Sequence, residues 1–266
     1  MRKRQMKVLD KLAERLRKGT ASYGFSCVCC GGELFTYPYE KVCESCVEEL
    51  PFNDGHTCQK CGRKTHTDGV CLSCKATLPN FTYGVSAFCY QGTSASLVNR
   101  FKNGQRYLAY YFAERMSITL LQRFPKLKEQ FDRGMCETKK EELLVMPVPL
   151  TKESERKRGY NQAEELAKAL VEELQNAGVS ATGDYQTLVK TRECIVQKYL
   201  GYLDRLSNVT GAYHVHKRTL CKDKIILLVD DIMTTGATGS ECARVLKNAG
   251  AKDVYFISVA SLNEGR

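Results

Sequence analysis

The sequence predicts an α/β fold in which a parallel sheet is flanked by helices and preceded by a small cysteine-rich module. Beyond Pro79, strand-length apolar runs alternate with helix-length amphipathic segments, the pattern of parallel strands covered by helices. One run, Ile225–Val229, is apolar at every position, as a strand buried on both faces must be. The module is marked by four Cys-x-x-Cys pairs between residues 27 and 74.

Residues 1–20 carry eight Lys or Arg against two acids, so six of the chain's ten net positive charges sit there. Leu9, Leu12, Ala13 and Leu16 recur at helical spacing, which predicts a short amphipathic helix with a basic outer face. That face is either a solvated surface or an electrostatic contact to phosphates. A signal peptide needs an apolar core after its charges. Here the charges are interleaved, so the segment is expected to be retained and the protein to be cytoplasmic. No run approaches the roughly 18 apolar residues that cross a bilayer. A composition 43% hydrophobic and 26% charged is that of an ordinary globular chain, not a disordered one. At 266 residues there is room for one main domain and an appendage.

Residues 21–80 are expected to form the module. Cys27-x-x-Cys30-Gly31 is followed by Cys43-x-x-Cys46, and the arrangement repeats as Cys58-x-x-Cys61-Gly62 followed by Cys71-x-x-Cys74. A Cys-x-x-Cys turn aims two thiolates at one centre, and the glycine after it lets backbone N–H groups approach sulfur. Two such turns complete a tetrahedral site of the structural zinc type. Each half is too short to bury a useful core, so Zn2+ at two sites would supply much of its folding free energy. Sequential and cross-braced pairing both fit, Cys29 can replace Cys30 as a ligand, and His56 and His66 are spare donors by type that read as surface histidines. A dithiol redox centre would need a thioredoxin-like unit before the turns, and none precedes them. Cys89, Cys136, Cys194, Cys221 and Cys242 are scattered and read as small apolar residues.

In residues 81–266 the expected elements are strands at 83–90, 143–148, 185–189, 224–229 and 254–260, with helices at 94–102, 107–124, 161–175 and 238–249. Residues 125–141 read as a polar connector. In such sheets ligands sit beyond the carboxyl ends of the strands, which draws attention to the residues just past Val229. Asp230 and Asp231 suit a vicinal diol, because each carboxylate accepts from a hydroxyl. Thr234, Thr235, Gly236, Ala237 and Thr238 lead into a helix and offer hydroxyls and consecutive backbone N–H groups to an anion. A sugar 5-phosphate satisfies both halves. A bland capped helix needs only one acid or hydroxyl.

The stretch IILLVDDIMTTGAT resembles the phosphoribosyl-pyrophosphate (PRPP) loop of type I phosphoribosyltransferases. With PVPL at 147–150, RGYNQ at 158–162, Gln197-x-x-Leu200, Arg205-x-x-Asn208, Tyr213 and the paired cysteine turns, the chain is identified as resembling the ComF family of competence-associated proteins over about residues 25–262. The resemblance implies a type I phosphoribosyltransferase-like parallel sheet flanked by helices, with a double zinc ribbon in front. It assigns Asp230 and Asp231 to the ribose hydroxyls and 234–238 to the 5-phosphate. Arg156, Lys157, Arg158 and Gly159 fall at the pyrophosphate loop, and Gln197, Arg205 and Asn208 in a mobile loop over 191–217 that closes on substrate. It also implies Mg2+ bound with PRPP. Thr151 and Ser154 stand where the family pattern has a His and an Arg, and Cys194 stands near its Thr.

The functions implied are transfer of phosphoribose to an unknown acceptor, with no catalytic acid or base recognisable, or binding of a nucleotide or single-stranded DNA through the same loop without turnover. A PRPP-sensing regulator is a third. The ComF resemblance links all three to DNA uptake in natural transformation, with single-stranded DNA and competence-machinery proteins as expected partners.

Overall fold

The computed structural model describes residues 26–34, 40–132, 142–193 and 208–264. The basic helix expected within 1–20, and Cys136, Cys194, Gln197, Leu200 and Arg205, lie outside them. The chain divides into two compact units, Met1–Leu50 and Pro51–Arg266. The module expected over 21–80 is therefore shared: its first cysteine group lies in the smaller unit, and its second packs as part of the larger one.

In the smaller unit the Cys27–Cys30 turn is closed by backbone bonds from Gly31 N to Cys27 O (2.8 Å) and from Cys27 N to Gly32 O (2.7 Å). Helix α1, Glu44–Glu49, starts directly after Cys43 and carries Cys46 on its buried side.

The larger unit opens with the second cysteine turn and helix α2, Leu72–Ala76. Five parallel strands follow in the spatial order β1-β7-β6-β2-β3: β1 Tyr83–Cys89, β2 Leu143–Pro147, β3 Ala181–Gly183, β6 Ile225–Met233 and β7 Asp253–Ser261. β6 is central and buried along Ile225–Val229, as its apolar run predicts. The strand expected at 185–189 is instead β4, Leu188–Lys190, which pairs antiparallel with β5, Tyr213–Val215, in a separate ribbon.

Helices α3 Gly92–Lys102, α4 Leu108–Arg123, α5 Pro125–Gln130, α6 Lys152–Arg158, α7 Gln162–Asn176, α8 Arg218–Cys221 and α9 Ala237–Asn248 complete the unit. Part of the expected connector is thus helical, since Pro125 suits the first helical position of α5. α4 and α7 pack together and cover the sheet, α4 against β1 and α7 against β2, β3 and β6, while α9 packs against β5, β6 and β7. α7 shows how sequence makes this layer. Asn161 caps it by accepting from Ala163 N (3.0 Å), and Leu166, Leu170 and Leu174 are fully buried at helical spacing. Burying each is worth about 2 kcal/mol. Among the described residues no helix is long and apolar enough to cross a membrane.

The outer edge of β1 is occupied by the chain that precedes it. Cys89 N donates to Pro51 O (2.8 Å), Asn53 N to Ala87 O (3.0 Å) and Gly84 N to Lys60 O (2.8 Å). The second cysteine turn approaches so closely that a Cβ on Gly62 would lie 2.3 Å from Gly84 O, and Gly62 itself has φ +73°. Gly62→Ala therefore combines left-handed backbone strain with a clash against backbone, and should cost about 3 kcal/mol or more. Gly55, at φ +69° with open space around it, isolates the strain: Gly55→Ala should cost about 1–2 kcal/mol. Urea unfolding of the two variants beside the parent chain checks the difference.

Candidate functional site

β2 and β6 stay paired only to Pro147↔Val229, with a last bond from Val148 N to Val229 O (2.8 Å). β6 and β7 continue through Asp230↔Ser258, Ile232↔Ala260 and Met233↔Ser261. The strand expected to end at Val229 thus runs four residues further, with β7 on one edge and the other edge open. Its two acids lie on that opened stretch. The carboxylates are held locally: Asp231 N donates to Asp230 Oδ1 (2.9 Å) and Ile232 N to Asp231 Oδ1 (2.6 Å).

Two neighbours brought in by the fold were not legible in the sequence. Lys102, the last residue of α3, places Nζ 3.1 Å from Asp231 Oδ2. Arg106, just beyond, lies over the Tyr160 ring at 4.3 Å and donates to Gly159 O (2.9 Å), while the Tyr160 hydroxyl donates to Phe101 O. The turn 102–106 is thereby fastened to the RGYNQ segment. The Asn103-Gly104 pair signals a turn, but nothing local says that its lysine meets an acid some 130 positions later.

Within PVPLTKESERKRGYNQ, Lys152–Arg158 form the short helix α6. Thr151 Oγ1 accepts from Ser154 N (3.1 Å) as the cap of α6, and Gly159 ends it at φ +82°. Thr151 and Ser154, the two departures from the family pattern, are the residues that make this cap. Arg156, Lys157 and Arg158 form its exposed last turn. Lys157 pairs with Glu153 (2.6 Å), and Arg158 Nη1 donates to Gln162 Oε1 (3.2 Å). The Arg158 charge is close enough to Asp230 to favour its ionised form.

Past Met233 the chain turns through Thr234 and Thr235 into α9. Gly236 stands at the N-cap with φ +82° and has no side-chain cap. A Cβ there would meet nothing nearer than 3.9 Å, so glycine serves the backbone angle and not the space. Thr235 Oγ1 accepts from Ala237 N (3.3 Å). The 12-residue helix begins four residues after the end of β6 that bears the acids, at Ala237. Thr234 O accepts from Arg63 Nη2 (2.7 Å), a further contact the sequence did not reveal. Asn208 sits where the chain re-enters the described residues, and its carbonyl accepts from Arg192 (3.0 Å). Gly211 N donates to Glu241 Oε1 of α9 (2.7 Å). The segment expected as a loop over 191–217 thus ends in bonds to α9 and in the β4–β5 ribbon. A cavity of about 480 Å³ bounded by Glu142, Thr182 and Lys217 lies by the start of β2, away from the acids.

The cysteines gather as Cys27, Cys30, Cys43, Cys46 and as Cys58, Cys61, Cys71, Cys74, with the Sγ atoms of each group within 4.8 Å of one another. Pairing is sequential, and Cys30, not Cys29, joins the first group. His56 is outside both and pairs with Asp68 (2.8 Å). The Cys30–Cys43 and Cys61–Cys71 sulfurs are 3.8 and 3.7 Å apart, close to the roughly 3.8 Å edge of a tetrahedron with 2.3 Å metal–sulfur bonds. Backbone N–H groups of Lys60, Cys61 and Cys71 point at Cys58 Sγ (3.3–3.5 Å), and those of Gly32 and Cys43 at Cys30 and Cys27. The donor set and spacing fit a four-thiolate metal. Cys89, Cys221 and Cys242 are buried as expected, and burial pushes the Cys221 thiol up to about 11.

The phosphoribosyl transferase domain family matches residues 156–266. Competence protein ComFC of Bacillus subtilis is 27% identical over 220 residues, 80% of this chain and 80% of its own length. Competence protein F of Haemophilus influenzae is 24% identical over 246 residues, 90% of this chain and 97% of its own. These relatives, the matched domain and the two four-cysteine groups bear out the resemblance to the ComF family. DNA utilization protein YhgH of Escherichia coli is similar as well, 25% identical over 215 residues, 80% of this chain and 87% of its own. The matched domain begins within α6 and includes the whole acid and threonine segment.

Burial pushes the Asp230 carboxyl up to about 8; the charge of Asp231 adds to the rise, while the Asp231 N–H, Lys102 and Arg158 oppose it. An unfolded carboxyl titrates near 3.9. Between roughly pH 4 and pH 8 the folded chain therefore holds a proton that the unfolded chain has released, and this residue's contribution to stability falls as pH rises through that window. Asp230→Asn should flatten that part of the profile, so that the variant gains on the parent as pH rises. Urea midpoints of both chains at pH 5, 7 and 9 check the sign.

Proposed function

We propose that the end of β6 and the start of α9 bind a phosphoribosyl group, with PRPP as the ligand. The observation that carries this reading is the pairing of two acids on an opened strand end with a helix N-terminus directly after it, entered through a left-handed glycine. One half matches a ribose diol and the other a 5-phosphate. Asp230 and Asp231 would accept from the ribose hydroxyls. Thr234, Thr235, Gly236, Ala237 and Thr238 would surround the phosphate, and Arg156, Lys157, Arg158 and Gly159 would face the pyrophosphate, with Gln197, Arg205 and Asn208 contributing from the 191–217 segment. Lys102 would be drawn from Asp231 toward the anionic ligand. Magnesium, when bound with PRPP, would supply positive charge to the leaving pyrophosphate.

Transfer of the ribose C1 from pyrophosphate oxygen to an acceptor nitrogen is the reading the fold favours. Binding of a nucleotide or of a single strand's 5′ phosphate without turnover is favoured by the relatives named for competence and DNA utilization. A cytoplasmic role in handling incoming DNA, alongside competence-machinery partners, accommodates either. Titrating PRPP with magnesium, then assaying pyrophosphate release across a panel of nitrogenous bases, separates them: release with any base supports transfer, and binding without release supports the holding role. The combined Asp230→Asn, Asp231→Asn variant should lose at least tenfold in PRPP affinity and little in free pyrophosphate affinity. Equal loss of both would assign the acids elsewhere.

Both thiolate groups are proposed to hold zinc with a structural role, giving two zinc ions per chain by metal analysis of the purified protein. Iron, or less than about one zinc per chain, would contradict this.

A further inference from the structure

The two cysteine turns are copies of one another, but they differ directly after the glycine. The first reads Cys30-Gly31-Gly32 and the second Cys61-Gly62-Arg63. Arg63 is only 4% exposed. Its Nε donates to Cys61 Sγ (3.4 Å) and its Nη2 to Thr234 O (2.7 Å). One guanidinium thus spans from a thiolate of the second metal group to the first residue of the turn between β6 and α9.

A buried guanidinium needs a counter-charge. Four thiolates around one divalent ion carry a net charge of about −2, which supplies it. The fork geometry of arginine lets one residue satisfy the sulfur and the carbonyl together. The surroundings are rigid: Asn53 Nδ2 donates to Gly62 O (2.6 Å), Phe81 stacks on Phe256 (5.4 Å), and the four cysteines share one buried cluster with Phe81, Met233, Ala237 and Cys242. Leu262 N also donates to Met233 O (3.1 Å). The turn therefore rests on a floor of which the cysteine group is part.

We propose that Arg63 is a positioning residue that ties the conformation of the Thr234–Thr238 turn to metal occupancy of the Cys58, Cys61, Cys71, Cys74 group. Loss of that metal leaves Arg63 without its counter-charge and releases the Thr234 carbonyl. The effect on ligand affinity rests on the phosphoribosyl reading of the site; the link between metal and turn does not.

The test uses the full chain as parent, Arg63→Met, Arg63→Lys and Cys43→Ser, with metal content, amide hydrogen exchange and PRPP titration measured on each. Arg63→Met, which keeps the unbranched apolar stem without donors, should retain about two zinc ions, exchange several-fold faster over 232–240 with the β2 segment 143–147 unchanged, and bind PRPP about tenfold more weakly. Arg63→Lys should recover part of both losses, since a single ammonium reaches one acceptor at a time. Cys43→Ser should lose one zinc without altering exchange over 232–240, because Gly32 stands in the first copy where Arg63 stands in the second. Should Arg63→Met fail to fold, Arg63→Lys is decided by the same comparison of 232–240 with 143–147. Unchanged exchange over 232–240 in the Arg63 variants, with or without loss of metal, overturns the proposal. A parent chain that does not bind PRPP while its Arg63 variants show faster exchange would overturn the phosphoribosyl reading and leave the link standing.

Discussion

β6 loses one hydrogen-bonding neighbour four residues before it loses the other, and the site arises from that mismatch. As long as β7 holds Asp230 to Met233 in register, the backbone there keeps strand geometry and its polar groups on one edge are satisfied. On the other edge β2 has turned away after Pro147, which opens the space around a half-buried acid pair. The cost of that pair is visible in Asp230, whose charged form is disfavoured by burial and by its neighbour. The compensation is equally visible, because Lys102 meets Asp231 and the chain leaving β2 enters a helix whose last turn is three consecutive bases.

What was legible in the sequence was what could be read over short distances. Cysteine spacing is local, and both four-sulfur groups formed as the repeat implied. The helix-length segments at 107–124 and 161–175 and the unbroken apolar run of β6 were likewise legible, because each is a local pattern. α6 was missed because Lys152–Arg158 has no apolar side at all and no buried residue, so no period exists to detect. It is held by its caps. The end of β6 was misjudged for a related reason: a charged residue marks the end of burial, whereas a strand ends only where its hydrogen bonds do. β3, β4 and β5 are three residues each, too short for alternation to register. Lys102 with Asp231 and Arg63 with Thr234 join residues far apart in the chain, and only the folded topology brings them together.

The distribution of cations also refines what the net charge of +10 means. Lys157, Lys168 and Arg244 are spent on acids within their own helices, and Arg63 is buried. Lys102, Arg106 and Arg158 instead belong to the segments that border the acids. Total charge therefore says less about an anionic ligand than the few positions where two such segments are fastened to each other, as Arg106 fastens the turn after α3 to Gly159.

The close seat of the second cysteine turn on β1 has one more consequence. β1 is the outermost strand of the sheet, and outermost strands expose a row of unsatisfied amides and carbonyls that recruits strands from other molecules. Here that row is taken by Pro51, Asn53 and Lys60, and Lys60 lies between Cys58 and Cys61. The turn that gathers the sulfurs thus also covers the sheet's flank, so that this edge is closed by a cysteine turn and not by a further strand.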